Sequence, residues 1–220
     1  MGKRFLRLDR NVAGYARLSP SIRREFLTYT LLGWQGQEAE LAKRRETLTA
    51  EIREVSESKR RLAHQVATTI LAGLKEQDTF QEHVCFILAG DVVYGMAHRV
   101  PRPERSTGRM VQGSDLDIVV ITSDDIAPEL VKQLDEAILQ RKHFLLVNPG
   151  YREEIDYLVK NMATVHRQLA FDTFEHMVAC KILAEGEFLA GSKKLMEEVQ
   201  TLLDQHGILD RLAQLEQAAK

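Results

Sequence analysis

The chain has 220 residues, 44% of them apolar and 28% charged, a composition typical of a globular protein with a substantial core. Thirty basic side chains nearly balance thirty-two acidic ones, which gives a formal net charge of −2. This balance excludes a uniformly basic, histone-like nucleic-acid binder and an acidic disordered tail protein, but it is compatible with a locally basic site.

The N-terminal third is predicted to be helical. Residues 19–26 have the pattern of a helix cap followed by a first turn. Residues 37–76 contain no proline and one glycine, and apolar residues recur in them at seven-residue intervals. These are Leu41, Leu48, Val55 and Leu62. The pattern predicts an amphipathic helix of roughly forty residues. Because Arg45 and Lys59 interrupt its second seam position, this helix either lies across its own domain or forms a coiled-coil arm for dimerisation.

Four strands are predicted in the middle of the chain. They fall at 84–89, 116–121, 144–147 and 154–159. The first is a continuous apolar run that ends at Gly90, as expected of a buried strand. The last alternates polar and apolar residues, as a half-exposed strand does. A loop at 96–112 separates the first two strands, and a helix at 128–140 separates the second from the third.

The chain after about residue 160 is predicted to be helical, with breaks near Gly186, Gly191 and Gly207. Helices on both sides of a group of strands predict an α+β fold. We expect an N-terminal helical region at 1–76, a catalytic core at 77–160 and a C-terminal helical region at 161–220.

The cysteine content and the hydropathy bear on the cellular location of the protein. Cys85 and Cys180 are too few for a disulfide scaffold, and both lie in apolar stretches, so we expect reduced core thiols. No apolar run approaches the length of about 18 residues needed to span a membrane. The first ten residues carry charge without an apolar core, so we expect no secretory signal. We therefore expect a cytoplasmic protein with no membrane partner.

The most informative motif runs from Gly113 to Asp117. Asp115 and Asp117 are two residues apart at the start of a strand, so their side chains project to the same face. Two adjacent carboxylates repel each other unless a cation lies between them. Mg²⁺ prefers oxygen ligands and binds through one or two carboxylates. A third carboxylate from a neighbouring strand would complete a two-metal site. Asp156 is preferred for this role over Glu154 because apolar residues flank it.

These motifs resemble those of the polymerase-β-type nucleotidyltransferases over roughly residues 65–160. The shared features are a strand ending at Gly90, the Asp115 and Asp117 pair on a second strand, and Asp156 on a later one. The resemblance implies a mixed sheet flanked by helices, and transfer of a nucleoside monophosphate from an NTP with Mg²⁺ or Mn²⁺. It implies that Asp115 and Asp117 bind both metals, and that Asp156 supports the metal and activates the acceptor hydroxyl.

The resemblance also implies a set of nucleotide contacts. Backbone N–H groups after Gly90 would face the triphosphate, with Asp91 and Ser114 beside them. Arg109 belongs to the arginine-rich loop at 96–112, which we interpret as a triphosphate clamp, as a surface for a nucleic-acid acceptor, or as a solvated loop. Lys181 either reaches the phosphates or forms an i,i+4 pair with Glu185 on a helix surface.

Two departures from the family pattern bear on function. Asp91 stands where the family has serine or glycine, and the segment between Gly90 and Asp115 is long. Asp91 is explained either as a helix N-cap or as the mark of a lost triphosphate site. The leading hypothesis is an enzyme whose acceptor is a small molecule, a protein or RNA. The alternatives are a catalytically retired binding or oligomerisation module and a coiled-coil adaptor, and a homodimer through 37–76 is compatible with each.

Overall fold

A computed structural model of the chain describes residues 7–8, 16–17 and 28–218. The chain divides into two compact units whose boundary falls inside the long helix, between Ile52 and Arg53. Eight helices and eight strands occur in the described residues, which confirms the predicted α+β class. The predicted cap at 19–26 lies outside these residues, and the division into three functional regions stays a prediction.

The first unit contains a short antiparallel pair and the start of the long helix. Strand β1 (Arg7–Leu8) pairs with strand β2 (Ala16–Arg17). Helix α1 spans Glu38–Gly73 without interruption over 36 residues, which confirms the helix predicted at 37–76. A turn precedes it, in which the Gln37 backbone N–H donates to the Trp34 carbonyl at 3.1 Å.

The second unit carries the remaining elements. The helices are α2 (Gln77–His83), α3 (Gly90–Val93), α4 (Pro128–Val147), α5 (Met162–Gln168), α6 (Phe174–Glu185), α7 (Lys193–Gln205) and α8 (Ile208–Ala218). The strands are β3 (Val84–Ala89), β4 (Arg102–Pro103), β5 (Met110–Val111), β6 (Leu116–Thr122), β7 (Ile155–Asn161) and β8 (Glu187–Gly191). The predicted strands at 84–89, 116–121 and 154–159 are therefore confirmed as β3, β6 and β7.

A four-stranded mixed sheet forms the centre of this unit, in the order β7-β6-β3-β8. Strands β6 and β7 are parallel, whereas β3 is antiparallel to both of its neighbours. Side chains alternate between the two faces of a strand, so the sheet contributes to two separate cores. Leu116, Ile118 and Val120 pack with α1 and α4 on one face, while Val119 and Ile121 pack with α5–α8 on the other.

Two strand assignments from the sequence are wrong. Residues 144–147 form the last turn of α4 rather than a strand, because Leu134, Ile138 and Leu145 share one buried face of that helix. The fourth strand of the sheet is instead β8, in a segment predicted to be helical. Its pairing with β3 places Glu187 opposite Leu88. This long-range pairing leaves no local pattern in the sequence.

The part of α1 from residue 53 onward lies across its own unit. Its buried residues include Val55, Ala63, Val66 and Ile70, which pack against the sheet core. The apolar residues in this half of α1 therefore pack within the second unit. Within the described residues, no helix combines the length and the apolar character that crossing a membrane requires.

Candidate metal centre

Three aspartates converge at the amino ends of the parallel strands β6 and β7. Asp117 and Asp156 are direct partners in the register of these strands, so they lie side by side. Asp115 precedes Asp117 by two residues and projects to the same side. Each of the three carboxylates offers an oxygen within 4.8 Å of the others. The three residues predicted as catalytic and metal-binding are thus brought together.

Gly90 lies against this cluster because β3 is the other neighbour of β6. Ala89 is the register partner of Asp117, so the chain turns into α3 directly beside the Asp117 carboxylate. Gly90 has a φ of +71°, and a Cβ atom built there would lie 1.9 Å from Asp117 Oδ2. Only glycine combines this left-handed backbone with so close an approach. The position next to the carboxylates is therefore closed to any side chain.

The electrostatics of the cluster centre on Asp117. Burial raises its pKa to about 8, and the neighbouring Asp115, Asp156 and Asp91 carboxylates add to this shift. Arg102 opposes the shift, but less strongly. Three neighbouring carboxylates thus lie close enough to raise the pKa of Asp117. A group in this position binds a proton at neutral pH unless another cation replaces it.

Arg102 holds one side of the cluster, and sequence reasoning did not single it out among the arginines of its loop. Its Nη2 lies 3.2 Å from Asp115 Oδ2, and its Nη1 lies 2.7 Å from Glu154 Oε2. Its Nε donates to the Gly113 carbonyl at 2.8 Å. The side chain is only 14% exposed. Arg102 therefore holds the residues that lead into β6 and orients Asp115. Nothing in the local sequence distinguishes Arg102 from the other arginines of its loop.

The structure brings Asp156 rather than Glu154 into the carboxylate cluster, but for a different reason than the one predicted from the sequence. Asp156 was expected inside the sheet because apolar residues flank it, yet it is exposed, on the open side of the edge strand β7. Glu154 is the buried residue, at 9% exposure, and it is paired with Arg102. The position on an edge strand is what leaves Asp156 accessible to a ligand.

A second buried ion pair joins α1 to the residue before Glu154 and supports the site. Lys59 Nζ on α1 contacts Glu153 Oε2 and donates to the Gln112 carbonyl at 3.0 Å. Burial lowers the pKa of Lys59 and raises that of Glu153, and the attraction between the two groups opposes both shifts. Since Glu153 immediately precedes Glu154, this pair anchors the start of β7. In the sequence, this ion pair is signalled by Lys59, which interrupts the apolar seam of the predicted helix.

Ser114 and Asp91 join the loop to the turn that follows β3. Ser114 is buried, its N–H donates to the His98 carbonyl at 3.1 Å, and its hydroxyl lies 3.5 Å from Asp91 Oδ2. Of the two interpretations of Asp91, the helix N-cap is wrong, because the N-cap position of α3 is Ala89 and Asp91 lies within the first turn. Asp91 therefore keeps its carboxylate on the side of Ser114 and Asp117.

The other two proposed nucleotide contacts, Arg109 and Lys181, form hydrogen bonds with residues outside the carboxylate cluster. Arg109 is exposed, next to the short β4–β5 hairpin, and its N–H donates to Thr107 Oγ1 at 3.3 Å. Lys181 pairs with Glu185 one turn along α6, as the i,i+4 interpretation predicted. Glu185 also accepts a hydrogen bond from Tyr94, which connects α6 to the turn after α3.

The arginine-rich segment at 96–112 contains this hairpin, with β4 paired to β5. Glu104 organises its turn by accepting hydrogen bonds from the N–H and hydroxyl groups of Ser106 and Thr107. These bonds lower the pKa of Glu104 to about 2. The single acid of the segment is thus used structurally. Arg99, Arg105 and Arg109 are exposed, so they present positive charge at the surface.

A cleft of about 300 Å³ opens beside the carboxylates. Asp117, Asp156 and Gly90 form its polar end, whereas Val119, Leu158 and Ile182 form an apolar wall. Ile182 lies on α6, so the C-terminal helices close one side. A carboxylate cluster next to an apolar wall suits a ligand that combines a metal-bound anionic group with a flat or apolar body.

No protein-family model matches the chain, and a search of curated proteins gives no significant match. Function must be inferred from the site. Three carboxylate oxygens within reach of one another form an all-oxygen donor set, which suits Mg²⁺ or Mn²⁺ better than metals that prefer nitrogen or sulfur.

Proposed function

We propose that the protein is a metal-dependent nucleotidyltransferase that moves a nucleoside monophosphate from an NTP to an acceptor hydroxyl. The observation that carries this proposal is the convergence of Asp115, Asp117 and Asp156 on two adjacent parallel strands beside Gly90. The fold we infer is the nucleotidyltransferase-like mixed sheet flanked by helices. Its helices α5–α8 would then be an appendage to the catalytic core, as the resemblance implies.

The donor set fits the metal that this reaction requires. Asp115, Asp117 and Asp156 would hold Mg²⁺ or Mn²⁺, and the raised pKa of Asp117 is the cost of assembling them without such a cation. When bound, divalent metal neutralises charge on the phosphates and aligns the attacking and leaving oxygens. The acidic cluster has only Arg102 as a partly buried cationic neighbour in direct contact among the described residues, so a divalent cation would complete its charge balance.

The protein's own groups account for the remaining roles. Asp156 is exposed on the edge strand and is placed to accept the proton of the acceptor hydroxyl. The acceptor oxygen then bonds to the α-phosphorus as the bond to the β-phosphate oxygen breaks, which releases pyrophosphate. Arg102 keeps Asp115 oriented, and Gly90 makes room for the Asp117 carboxylate beside β3, while the backbone N–H groups after Gly90 would face the triphosphate. Arg109 and Lys181 are candidates for phosphate contacts if the loop and α6 close on the nucleotide.

Asp91 supports a second candidate function, a retired nucleotidyltransferase-like domain that acts as a binding or oligomerisation module. Its carboxylate adds to the negative charge around Asp117, and a triphosphate approaching Gly90 would meet it. In an active enzyme this charge has to be taken up by metal or by a basic side chain. In a retired domain it would exclude the NTP. Isothermal titration with NTP and Mg²⁺ separates the two candidates, since a retired site binds neither at millimolar concentration.

Incubation with α-labelled NTPs, Mg²⁺ and cell lysate tests the enzymatic proposal directly. The wild-type protein should transfer label from at least one NTP to a small molecule, a protein or RNA. Asp117→Asn should abolish the transfer, because it removes a metal ligand while relieving repulsion within the fold. Asp204→Asn, at an exposed position near the end of α7, is the matched control and should retain full transfer.

Three outcomes decide between the candidates. Label transfer lost only in the Asp117 variant supports the enzyme. Equal transfer by both variants contradicts the role given to the carboxylates. Absence of transfer together with absence of NTP binding favours the retired module, whatever the acceptor supplied.

Further proposals concern assembly and location. A homodimer through 37–76 would use the Leu41 and Leu48 positions of α1, because the later seam residues pack inside the second unit. Sedimentation of the wild type against a Leu41→Glu, Leu48→Glu variant tests this, and an unchanged mass would contradict it. A cytoplasmic location rests on Cys85 and Cys180, which are both buried free thiols.

A further inference from the structure

A second and larger cleft opens at the opposite ends of β6 and β7. Its volume is about 620 Å³, within the range typical of small-molecule sites. Thr122 and Asn161, the last residues of the two parallel strands, are register partners and both line it. The carboxyl ends of parallel strands are a frequent location for ligands. Asp117 and Asp156 lie at the other ends of these strands, so this cleft is separate from the carboxylate cluster.

Lys160 is the unusual residue of this cleft. It is 7% exposed, and its Nζ donates to Gln168 Oε1 at 2.7 Å, with both residues lining the cavity. An ammonium group has three N–H donors. Among the described residues, no carboxylate lies within ion-pair distance of Lys160. Burial lowers the pKa of Lys160 to about 8, as expected for a cation without a countercharge.

The groups around Lys160 do not supply that countercharge. Cys180 lies close enough to influence it, but burial raises the pKa of this thiol and keeps it neutral. Asp124 is the one acid in the lining, and its Oδ1 accepts the Ala163 N–H at 3.0 Å. Arg167 Nη2 donates to Thr164 Oγ1 at 2.9 Å, so this guanidinium places a further positive charge near the cleft. A buried cation left in this state is costly unless an anion joins it.

We propose that this cleft is a second ligand-binding site, which takes a small molecule carrying an oxyanion, phosphate or carboxylate, on the Lys160 ammonium. Hydroxyl and amide groups of Thr122, Ser123 and Asn161 border the polar part of the cleft, and Ile126, Pro128, Val131 and Leu158 form its apolar part. The ligand is therefore a molecule with one anionic end and an apolar body. Leu158 lines both clefts, so it lies between the proposed ligand and the cleft beside the carboxylates.

Titration of the ¹⁵N-labelled full chain with sodium phosphate, and separately with sodium acetate, tests this proposal at constant ionic strength. Chemical shift changes should cluster at the amides of 122–124 and 161–164. Lys160→Met and Lys160→Gln should each weaken the response by about tenfold or more, because one charge-assisted hydrogen bond is lost. Lys194→Met, at an exposed position on α7, should leave the response unchanged.

The arms of the titration separate the two oxyanions. A stronger response to phosphate identifies a phosphorylated ligand, and a stronger response to acetate identifies a carboxylic acid. Shifts scattered over the surface, absent at 122–124 and 161–164, or equal in the wild type and both Lys160 variants would overturn the proposal. Thermal unfolding of the variants serves as the folding control, since loss of an uncompensated buried cation should not lower the melting temperature. These results do not depend on whether the carboxylate cluster transfers nucleotides.

Discussion

Replacement of Asp117 by asparagine should make the metal-free protein more stable, and the gain should grow with pH. The pKa of Asp117 is raised from its ordinary 3.8 to about 8 in the fold. Between these two values the folded state holds a proton that the unfolded state has released. Unfolding is therefore favoured as pH rises through this window. A neutral amide removes the effect, because it has no proton to hold.

The magnitude follows from the pKa values. Each unit of pKa corresponds to about 1.4 kcal/mol, so by pH 7 the Asp117 carboxyl destabilises the fold by at most about 4 kcal/mol relative to acid pH. Partial exposure and relaxation of the side chain reduce this figure, and we expect Asp117→Asn to recover about half of it, roughly 2 kcal/mol.

Urea unfolding in EDTA between pH 5 and pH 8.5 measures this difference. The free energy of unfolding of Asp117→Asn minus that of the wild type should increase across the range and level off above about pH 8. Asp204→Asn provides the comparison for loss of an exposed charge. Adding Mg²⁺ should stabilise the wild type and not the Asp117 variant. A difference that is constant with pH, or a variant less stable at every pH, would refute the electrostatic account of the cluster.

Three further substitutions probe the support of the site. Gly90→Ala should destabilise the fold by at least about 1 kcal/mol and weaken Mg²⁺ binding in titration calorimetry, because its Cβ would collide with Asp117; unchanged Mg²⁺ affinity would contradict this placement. Arg102→Met should lower the free energy of unfolding by about 3 kcal/mol, since two carboxylates lose their buried partner; chemical denaturation measures the loss, and an effect below 1 kcal/mol would argue against the pairing. Lys59→Met should cost a similar amount by leaving Glu153 buried and unpaired, and Glu153→Leu added to it should restore most of the stability; a double variant no more stable than the single one would contradict the buried pair.

Much of the site could be predicted from the sequence because its signals are local. Asp115 and Asp117 share a strand, and period-two alternation alone places them on one face. The apolar run that ends at Gly90 identifies β3 in the same way. Asp156 required a choice between two acids, and the structure places Asp156 in the carboxylate cluster, although accessibility on an edge strand rather than enclosure distinguishes it from Glu154.

The parts that could not be predicted depend on contacts between distant segments. Residues 144–147 form a short apolar run that is compatible with either helix or strand, and burial against the sheet resolves it as helix. Strand β8 exists because it pairs with β3, about a hundred residues earlier. Arg102 contacts Asp115 only because the β4–β5 hairpin folds back toward β6. Lys160 becomes notable only once the structure shows that it is buried without a carboxylate partner among the described residues.

Comparison of α-labelled with γ-labelled NTP is the most direct test of the proposed nucleotidyl transfer. With Mg²⁺ and lysate, the wild-type protein should place label on an acceptor only from the α-labelled NTP, and should release the γ-label as pyrophosphate. Asp156→Asn should abolish both products. Label on the acceptor from the γ-position, or transfer that persists in the Asp156 variant, would contradict nucleotidyl transfer by the Asp115, Asp117 and Asp156 cluster.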